Sequence, residues 1–280
     1  MSAGTNERRS TKFYAPGVVD EAAWFSIAAA DYEALIAAAD FAAALAPVRT
    51  LFDAGCGTGR FPAMLGAALG RGERGPGHAI RTDILDPSAH CLARYREQVA
   101  APFVPGQAFH ASIEAFAPPE TSYDLVWAVQ SAYAWERARL GESLAKLSRL
   151  AGREGALFIM QAAAAAFYHR FHDGWRSDFS PETPAYITAE EVMAALERPA
   201  MAHKALSLEH VIPARETGLL QAYLRQLCFD AARPLAEFLE GKTTGPLLAA
   251  HRQGGVYRFP QEVWVIGDEA LMGRLGLAGA

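Results

Sequence analysis

The stretch from residue 51 to residue 61 constrains the fold of this chain more than any other part of the sequence. A short apolar run reaches Asp53, and glycines then stand at three alternate positions, Gly55, Gly57 and Gly59. Glycine is favoured where the backbone takes a positive φ angle and where a ligand must approach the main chain closely. The pattern therefore predicts a parallel strand, a tight turn and a helix N-terminus, where α/β folds bind a polar or anionic cofactor.

The spacing of these glycines narrows the class of cofactor. A dinucleotide-binding turn requires G-x-G-x-x-G, and the sixth position counted from Gly55 is Arg60. The G-K-[ST] signature of a P-loop is absent from this turn. The remaining pattern, D-x-G-x-G-x-G, resembles motif I of the class I methyltransferases that use S-adenosyl-L-methionine (SAM) and release S-adenosyl-L-homocysteine (SAH). The resemblance implies that the cofactor contacts Asp53, Gly55, Cys56, Gly57 and Gly59. A glycine-rich turn without a ligand is the alternative.

Composition limits the class of protein and its partners. The 280 residues are 51% hydrophobic and 20% charged, which suffices for a large core and argues against disorder. A formal net charge of −5 gives no basic footprint, so we expect no nucleic-acid partner. Three cysteines without paired spacing favour a reducing compartment over a disulfide framework. We find no secretory signal and no apolar stretch that could span a bilayer. We therefore expect a cytoplasmic monomer or homodimer with no membrane partner.

Along the chain, apolar runs alternate with helical patterns through five strand–helix units. The predicted strands span residues 48–52, 78–85, 107–111, 122–130, 155–160 and 204–212, with a last antiparallel strand at 263–266. This order predicts an α/β fold with a doubly wound, Rossmann-like, seven-stranded and mostly parallel sheet. We expect residues 1–46 to form a tail and cap helix, and 47–165 the SAM-binding core. Residues 166–280 would add the remaining strands and a helical substrate-binding lid at about 213–258.

The segment before the first strand divides into a polar tail and a helical pattern. Residues 1 to about 12 are expected to be mobile because they are polar. Apolar residues recur at helical spacing from Val18 to Leu45. The polar residues of this helix are Glu21, Ser26, Asp31, Tyr32 and Glu33. They could face a ligand, but for most of them we favour a position on the solvated face of the helix.

Polar residues follow three of the predicted strands. Asp86 ends the second strand, where a carboxylate can accept hydrogen bonds from both ribose hydroxyls of a nucleoside; capping of the next helix is its alternative role. The resemblance also implies a cofactor contact for Pro87. It implies that the loop after the third strand clamps the adenine, here with Ser112 in place of the usual acid and Ile113 against the ring. Val129 and Gln130 end the fourth strand, which in a doubly wound fold places them beside the methyl-donor position; the alternative for Gln130 is that it only starts a loop.

Several short segments also resemble the histamine N-methyltransferase family in order and spacing. They are Asp86-Pro87-Ser88-Ala89, Val129-Gln130 with Tyr133, Tyr186-Ile187-Thr188, Leu227-Cys228-Phe229 and Phe259-Pro260-Gln261. This resemblance implies that Gln130 and Gln261 contact an amine substrate, and that Phe167 and Phe171 wall its pocket. It further implies a substrate-binding glutamate on the N-terminal helix, for which Glu33 and Glu21 are the candidates.

The chemistry that follows is methyl transfer to a small molecule, with nitrogen of an amine or azole as the expected acceptor. A buried apolar site lowers the pKa of an ammonium group, and aromatic walls such as Tyr133 hold a cation. His169 or His172 would serve as the base for a phenol or enol; packing is their alternative role. These two histidines lack an evident third ligand, so we expect no metal. The alternatives are C- or O-methylation of an aromatic or indole scaffold, aminocarboxypropyl transfer or cyclisation, and a non-catalytic SAM-binding protein.

Overall fold

A computed structural model describes residues 5–71 and 75–278. The strands are β1 Thr50–Ala54, β2 Ile80–Asp86, β3 Phe103–His110, β4 Leu125–Val129, β5 Ala156–Ala162, β6 Met201–Pro213, β7 Arg252–Gln253 and β8 Val256–Asp268. They form one sheet in the order β3-β2-β1-β4-β5-β8-β6, with the short β7 paired to β8. Strands β1 to β5 are parallel to their neighbours, whereas β8 runs antiparallel to β5 and β6. The predicted doubly wound, mostly parallel sheet is confirmed.

Helices cover both faces of this sheet. They are α1 Asn6–Phe13, α2 Glu21–Ala38, α3 Phe41–Leu45, α4 Arg60–Arg71, α5 Ala89–Gln98, α6 Leu140–Ala151, α7 Phe167–Phe179, α8 Ala189–Ala195, α9 Thr217–Cys228, α10 Leu235–Glu240, α11 Thr244–Ala250 and α12 Glu269–Arg274. Successive side chains of a strand point to opposite faces, and β4 shows the result. Trp127 packs against Phe61 of α4, whereas Val126 and Ala128 belong to the core cluster that contains Leu144 of α6. Burial of β4 on both faces explains its continuous apolar sequence.

The N-terminal segment departs from the predicted polar tail. The first four residues lie outside the described residues, but Asn6–Phe13 form α1, and Phe13 is buried against Phe229. Arg9 fixes this helix by donating from Nη2 to the carbonyl oxygen of Cys228 at 2.8 Å. The expectation of mobility was wrong for this helix because its few apolar and cationic side chains find partners far along the chain.

The second helical pattern is interrupted near its end. Residues 21–38 and 41–45 form two helices, α2 and α3, instead of the one predicted from Val18 to Leu45. Asp40 causes the break, since its side chain accepts a hydrogen bond from the backbone N–H of Ala43 at 3.0 Å and caps α3.

The last third of the chain adds β6, β8 and the helices between them. Both strands have 13 residues and pair along their whole length, so β8 is much longer than the predicted 263–266. The predicted insertion holds α9, α10 and α11, and α9 packs against α2 and α7. In the part of the chain that the structure describes, no helix is long and apolar enough to cross a membrane.

Candidate active site

The glycine turn between β1 and α4 has the backbone conformation that its sequence predicts. Gly55, Gly57 and Gly59 have φ angles of 69°, 53° and 80°. A Cβ atom at Gly55 would lie 2.5 Å from that of Ser131, and one at Gly59 would lie 2.8 Å from Cγ2 of Val99. Gly55 and Gly57 line a cavity. Gly59 does not line it, and the lack of a side chain there allows the start of α4 to pack closely against Tyr95 and Val99. The structure thus gives Gly59 a packing role, and its cofactor contact stays a prediction.

This cavity has a volume of about 220 Å³ and opens at the carboxyl ends of the parallel strands. The predicted site residues that line it are Asp53, Gly55, Cys56, Gly57, Asp86, Pro87, Ser112, Ile113, Val129, Gln130, Tyr133 and His169. We call the part lined by Asp53, Gly57, Asp86 and Ile113 the glycine end. The part lined by Asp31, Gln130, Tyr168 and His169 is the Asp31 end.

At the glycine end, Asp86 is fixed by two backbone N–H groups. Its Oδ2 accepts from Gly57 at 2.9 Å, and its Oδ1 accepts from Ser88 at 2.8 Å. Burial raises the pKa of this carboxyl to about 6, although these hydrogen bonds oppose the rise. Asp83, the other acidic residue of β2, is also buried, and it accepts from the hydroxyl of Tyr123 at 2.8 Å on the sheet. Its role is structural, and Asp86 alone of the two lines the cavity.

Asp53 ends β1 beside the glycine turn and is buried. Burial raises the pKa of its carboxyl to about 7, and the side chains of Trp127 and Tyr95 offset part of the effect. Such a carboxyl changes charge near neutral pH, so a cationic group bound beside it would favour the ionised form.

At the Asp31 end, a second buried carboxylate collects three hydrogen bonds. Oδ2 of Asp31 accepts from Nε2 of Gln130 at 3.1 Å and from the hydroxyl of Tyr168 at 2.9 Å. Oδ1 lies 3.0 Å from Nε2 of His210, which is also buried. Among the described residues, no lysine or arginine pairs with Asp31. The carboxylate is held rigidly at the cavity wall, and its described polar partners are an amide, a phenol and an imidazole.

The hydrogen bonds continue behind the cavity wall. Nδ1 of His210 lies 2.8 Å from the hydroxyl of Tyr223, which also accepts from Nε2 of Gln261 at 3.1 Å. Gln261 was predicted to contact the substrate, but it does not line the cavity; its Oε1 accepts from the backbone N–H of Tyr168 at 3.4 Å. Gln261 thus supports Tyr168 and Tyr223 from behind.

The aromatic residues at the start of α7 divide between the cavity and the core. Phe167 and Phe171, predicted as pocket walls, are fully buried in a separate cluster and do not line the cavity. Tyr168, one residue from Phe167, faces the cavity instead. Successive residues of a helix differ by about 100° in direction, so neighbours in sequence face different surroundings.

Gln130 has an unusual backbone for a non-glycine residue, with a φ angle of 49°. Its backbone N–H donates to the carbonyl oxygen of Met160 at 2.8 Å, and its side chain reaches Asp31. Such a conformation persists where the surroundings fix it, and it occurs preferentially at functional sites.

The two histidines of α7 differ in access to the cavity. His169 lines it, its Nε2 lies 3.2 Å from the carbonyl oxygen of Ala162, and burial lowers its pKa. His172 does not line it and stacks on the ring of Tyr186 at 3.5 Å between centroids. Burial also places the pKa of His172 well below its usual value, which suits packing. In the described ranges, no cluster of three His, Cys, Asp or Glu side chains could hold a metal ion.

Several cavity residues were missed by sequence reasoning. α1 contributes Glu7, Ser10 and Thr11, Tyr14 follows it directly, and the aromatic wall includes Trp24, Phe25, Tyr186 and Phe229. Of the glutamates considered on α2, Glu33 is exposed, whereas Glu21 lies at the cavity and pairs with Arg60 at 3.3 Å. Asp31, one of the polar residues for most of which a solvated face was favoured, is the buried acid instead. The available signal was an acidic residue directly after the alanine run at 28–30.

Comparisons with known proteins agree with this geometry. Residues 51–155 match a family model described as a methyltransferase domain. The chain is similar in structure to YcgJ of Bacillus subtilis, at 13% identity and a TM-score of 0.50, over 85% of this chain and 97% of that one.

Two other solved structures are similar to the chain with somewhat lower TM-scores. One is a SAM-dependent methyltransferase of Thermotoga maritima, described as a possible histamine N-methyltransferase: 14% identity, TM-score 0.49, 94% of this chain and 99% of that one. The other is magnesium protoporphyrin IX methyltransferase of Synechocystis with bound SAH: 13% identity, TM-score 0.48, 92% of each chain. No curated protein sequence matches the chain. At these identities the structural likeness establishes the fold alone.

Proposed function

We propose that this protein, whose residues 51–155 match a methyltransferase domain, uses SAM to methylate a nitrogen atom of a small amine or azole. The observation that carries the proposal is the buried carboxylate of Asp31, which faces the cavity without a lysine or arginine partner among the described residues. A buried carboxylate is costly unless it is compensated, and a cationic amine would add a positive charge beside it, in addition to its contact with His210.

The glycine end fits the cofactor. Asp86 keeps lone pairs on both oxygens beyond its two backbone bonds, which suits the vicinal hydroxyls of a ribose. Ile113 offers an apolar surface for the adenine ring, and Ser112 and Glu7 lie close to it on the same wall. Asp53, ionised when a cation is present, would bind the ammonium group of the methionine part.

The Asp31 end supplies what an amine acceptor requires. Bound SAM provides a methyl group on a sulfonium, so the chain must align the nucleophile and exclude water. An ammonium cannot attack until it loses a proton, and Asp31 can accept that proton at Oδ2 once the amine has taken the place of one of the two donors bound there. Gln130 and Tyr168 fix this oxygen in position, and His210 holds the other one. The aromatic wall, including Tyr133, can hold the cation before deprotonation.

A second candidate is O- or C-methylation of an aromatic scaffold. The observation that favours it is His169, which lines the cavity and whose pKa is lowered by burial, so that it would be a neutral base for a phenol. In its present position, Nε2 is directed to the carbonyl oxygen of Ala162. The imidazole of His169 would therefore have to accept the proton of the phenol at its other nitrogen, Nδ1.

The test is mass spectrometry of the products that purified protein forms from SAM and a panel of amines, azoles, indoles and phenols. SAH with an N-methylated amine or azole supports the proposal. SAH with a methylated phenol or carbon supports the second candidate instead. Methylthioadenosine would show that the aminocarboxypropyl arm is transferred and would contradict both.

A further inference from the structure

The side chain of Gln161 lies in the wall of the cavity and has an unpaired amide oxygen. Gln161 lies one residue before the end of β5, is fully buried, and lines the cavity. Its amide nitrogen donates to the carbonyl oxygen of Ile187 at 3.0 Å. Its amide oxygen has no hydrogen-bond partner among the described residues. Buried side-chain acceptors are nearly always paired, because an unpaired one loses its hydration without replacement. The Gln161 oxygen therefore calls for a donor from whatever fills the cavity.

The position of Gln161 relates it directly to the Asp31 end. Strands β4 and β5 are parallel, with Val129 opposite Met160, so Gln130 and Gln161 are the next two residues in register. The backbone of Gln130 donates to Met160 at 2.8 Å, which holds the two strand ends together. Adjacent parallel strands lie about 5 Å apart, so a small molecule held at Asp31 and Gln130 can also reach Gln161.

The character of the group that Gln161 would bind follows from its chemistry. The nitrogen of the amide is committed to Ile187, which fixes the orientation of the amide and leaves the oxygen as an acceptor only. An acceptor oxygen pairs with N–H or O–H and is repelled by an ether or a ring oxygen. The aromatic side chains of Tyr133 and Tyr186 also line this part of the cavity and suit a flat ring.

We propose that Gln161 is a specificity residue, and that its oxygen accepts a hydrogen bond from a second N–H or O–H group of the methyl acceptor. The inference rests on the proposed function and narrows its substrate class. The acceptor is a small amine with an additional hydrogen-bond donor, such as the ring N–H of an azole or an indole. The amine binds at Asp31, and the second donor binds at Gln161.

The experiment compares acceptors in matched pairs. Each pair consists of an ethylamine that carries a ring N–H and its analogue with oxygen at that position: imidazole with oxazole, and indole with benzofuran. We expect the N–H member of a pair to have a kcat/KM about 10- to 100-fold higher in the wild-type protein, because the analogue leaves a buried acceptor unpaired. In Gln161→Met this preference should fall below about threefold.

Two further variants separate recognition from structure. Gln161→Glu should restore most of the preference, since burial favours a neutral carboxyl that donates to Ile187 and still offers an acceptor oxygen. Gln221→Met is the matched control: Gln221 accepts from the backbone N–H of Leu235 at 2.7 Å and does not line the cavity. It should leave the preference unchanged. A purely structural role of Gln161 would lower kcat/KM for both members of a pair equally and leave their ratio unaltered.

The outcomes separate the two proposals. N-methylated products with equal kcat/KM within every pair, or an intact preference in Gln161→Met, would overturn the inference and leave the proposed function in place. Absence of any N-methylated product would overturn the proposed function and, with it, this inference. A preference that is present in the wild type, lost in Gln161→Met and regained in Gln161→Glu supports both.

Discussion

Each end of the cavity holds a buried carboxylate, Asp86 at the glycine end and Asp31 at the Asp31 end. Asp86 is fixed by two backbone N–H groups that lie 29 and 2 positions away in the sequence. Asp31 is fixed by three side chains that lie 99, 137 and 179 positions away. Backbone donors tolerate changes of side chain, whereas each donor of Asp31 depends on residue identity. The geometry of the glycine end therefore depends mainly on the backbone, whereas that of the Asp31 end depends on three distant side chains.

The largest effect should come from breaking the Asp31 end. Asp31→Asn keeps the shape of the side chain but removes the charge and the proton acceptor. Removal of one partner from a buried charged network costs about 3–5 kcal/mol, so kcat/KM for the acceptor should fall at least 100-fold. The affinity for SAH, measured by calorimetry, should change less than about threefold.

Glu33→Gln is the matched control for this variant, because Glu33 is an exposed acid on the same helix. It should leave both kcat/KM and SAH affinity unchanged. If Asp31→Asn weakened SAH binding as much as turnover, the two ends would not be separate in function.

At the glycine end, Asp86→Ala should weaken SAM binding by about 1–3 kcal/mol, because the ribose hydroxyls lose their acceptor. Calorimetry of the variant measures this directly. Asp40→Ala serves as a control, since it removes the cap in which Asp40 accepts from the backbone N–H of Ala43 at 3.0 Å, and Asp40 does not line the cavity. That control should lower the melting temperature without changing SAM affinity. Unchanged SAM affinity in Asp86→Ala would show that its assignment to the ribose is wrong.

The pH dependence of SAM binding sharpens the contrast further. Burial raises the pKa of Asp53 to about 7 and that of Asp86 to about 6, above an ordinary value of 3.8. Between roughly pH 4 and 7 the ligand-free folded protein thus binds protons that the unfolded chain does not, so these groups make it less stable as the pH rises. A cationic cofactor favours the ionised carboxyls, and its affinity should increase by up to about tenfold per pH unit through pH 6 to 7.

The variant that isolates this effect is Asp53→Asn. This variant should flatten the rise in SAM affinity near pH 7. The rise near pH 6 should remain, because it comes from the ionisation of Asp86. Calorimetry in buffers of different ionisation enthalpy measures the proton release. A rise of the same slope in the variant would contradict the role given to Asp53.

The smallest effect concerns Gln130. Gln130→Ala should lower kcat/KM for the acceptor about tenfold, because Asp31 loses one of its hydrogen bonds, and should leave SAM affinity nearly unchanged. Gln130→Gly tests the backbone, since glycine adopts a φ angle of 49° without strain. Equal losses in the two variants assign the effect to the missing side chain. A much milder loss in Gln130→Gly would assign it to the backbone.

Local patterns were enough to predict the glycine end. Gly55 and Gly57 have the positive φ angles that the motif requires, and Asp86 follows its strand directly into the cavity. Gly59 shows where this reasoning stops, because its role depends on how closely Tyr95 and Val99 of another segment approach. Sequence spacing identifies a turn, but it does not specify which neighbours pack against it.

Sequence reasoning about the Asp31 end was less successful. Tyr168 faces the cavity while Phe167 and Phe171 face the core, a difference that the rotation of α7 decides. Gln261 was expected at the substrate and instead supports Tyr168 and Tyr223 from behind. Gln161 gave no signal in the sequence, since an amide within an apolar strand is noticed only when its oxygen is found without a partner.

The sequence by itself determined the sheet and the glycine turn, because both depend on strand periodicity and on residues a few positions apart, and its resemblance to motif I predicted the class of cofactor. The tertiary structure decided that the carboxylate of Asp31 faces the cavity and which side chains hold it. Those contacts join residues up to 179 positions apart, and they depend on how α2, α7, β4 and β6 pack around one cavity. Packing of that kind is a property of the whole fold, so no local pattern encodes it.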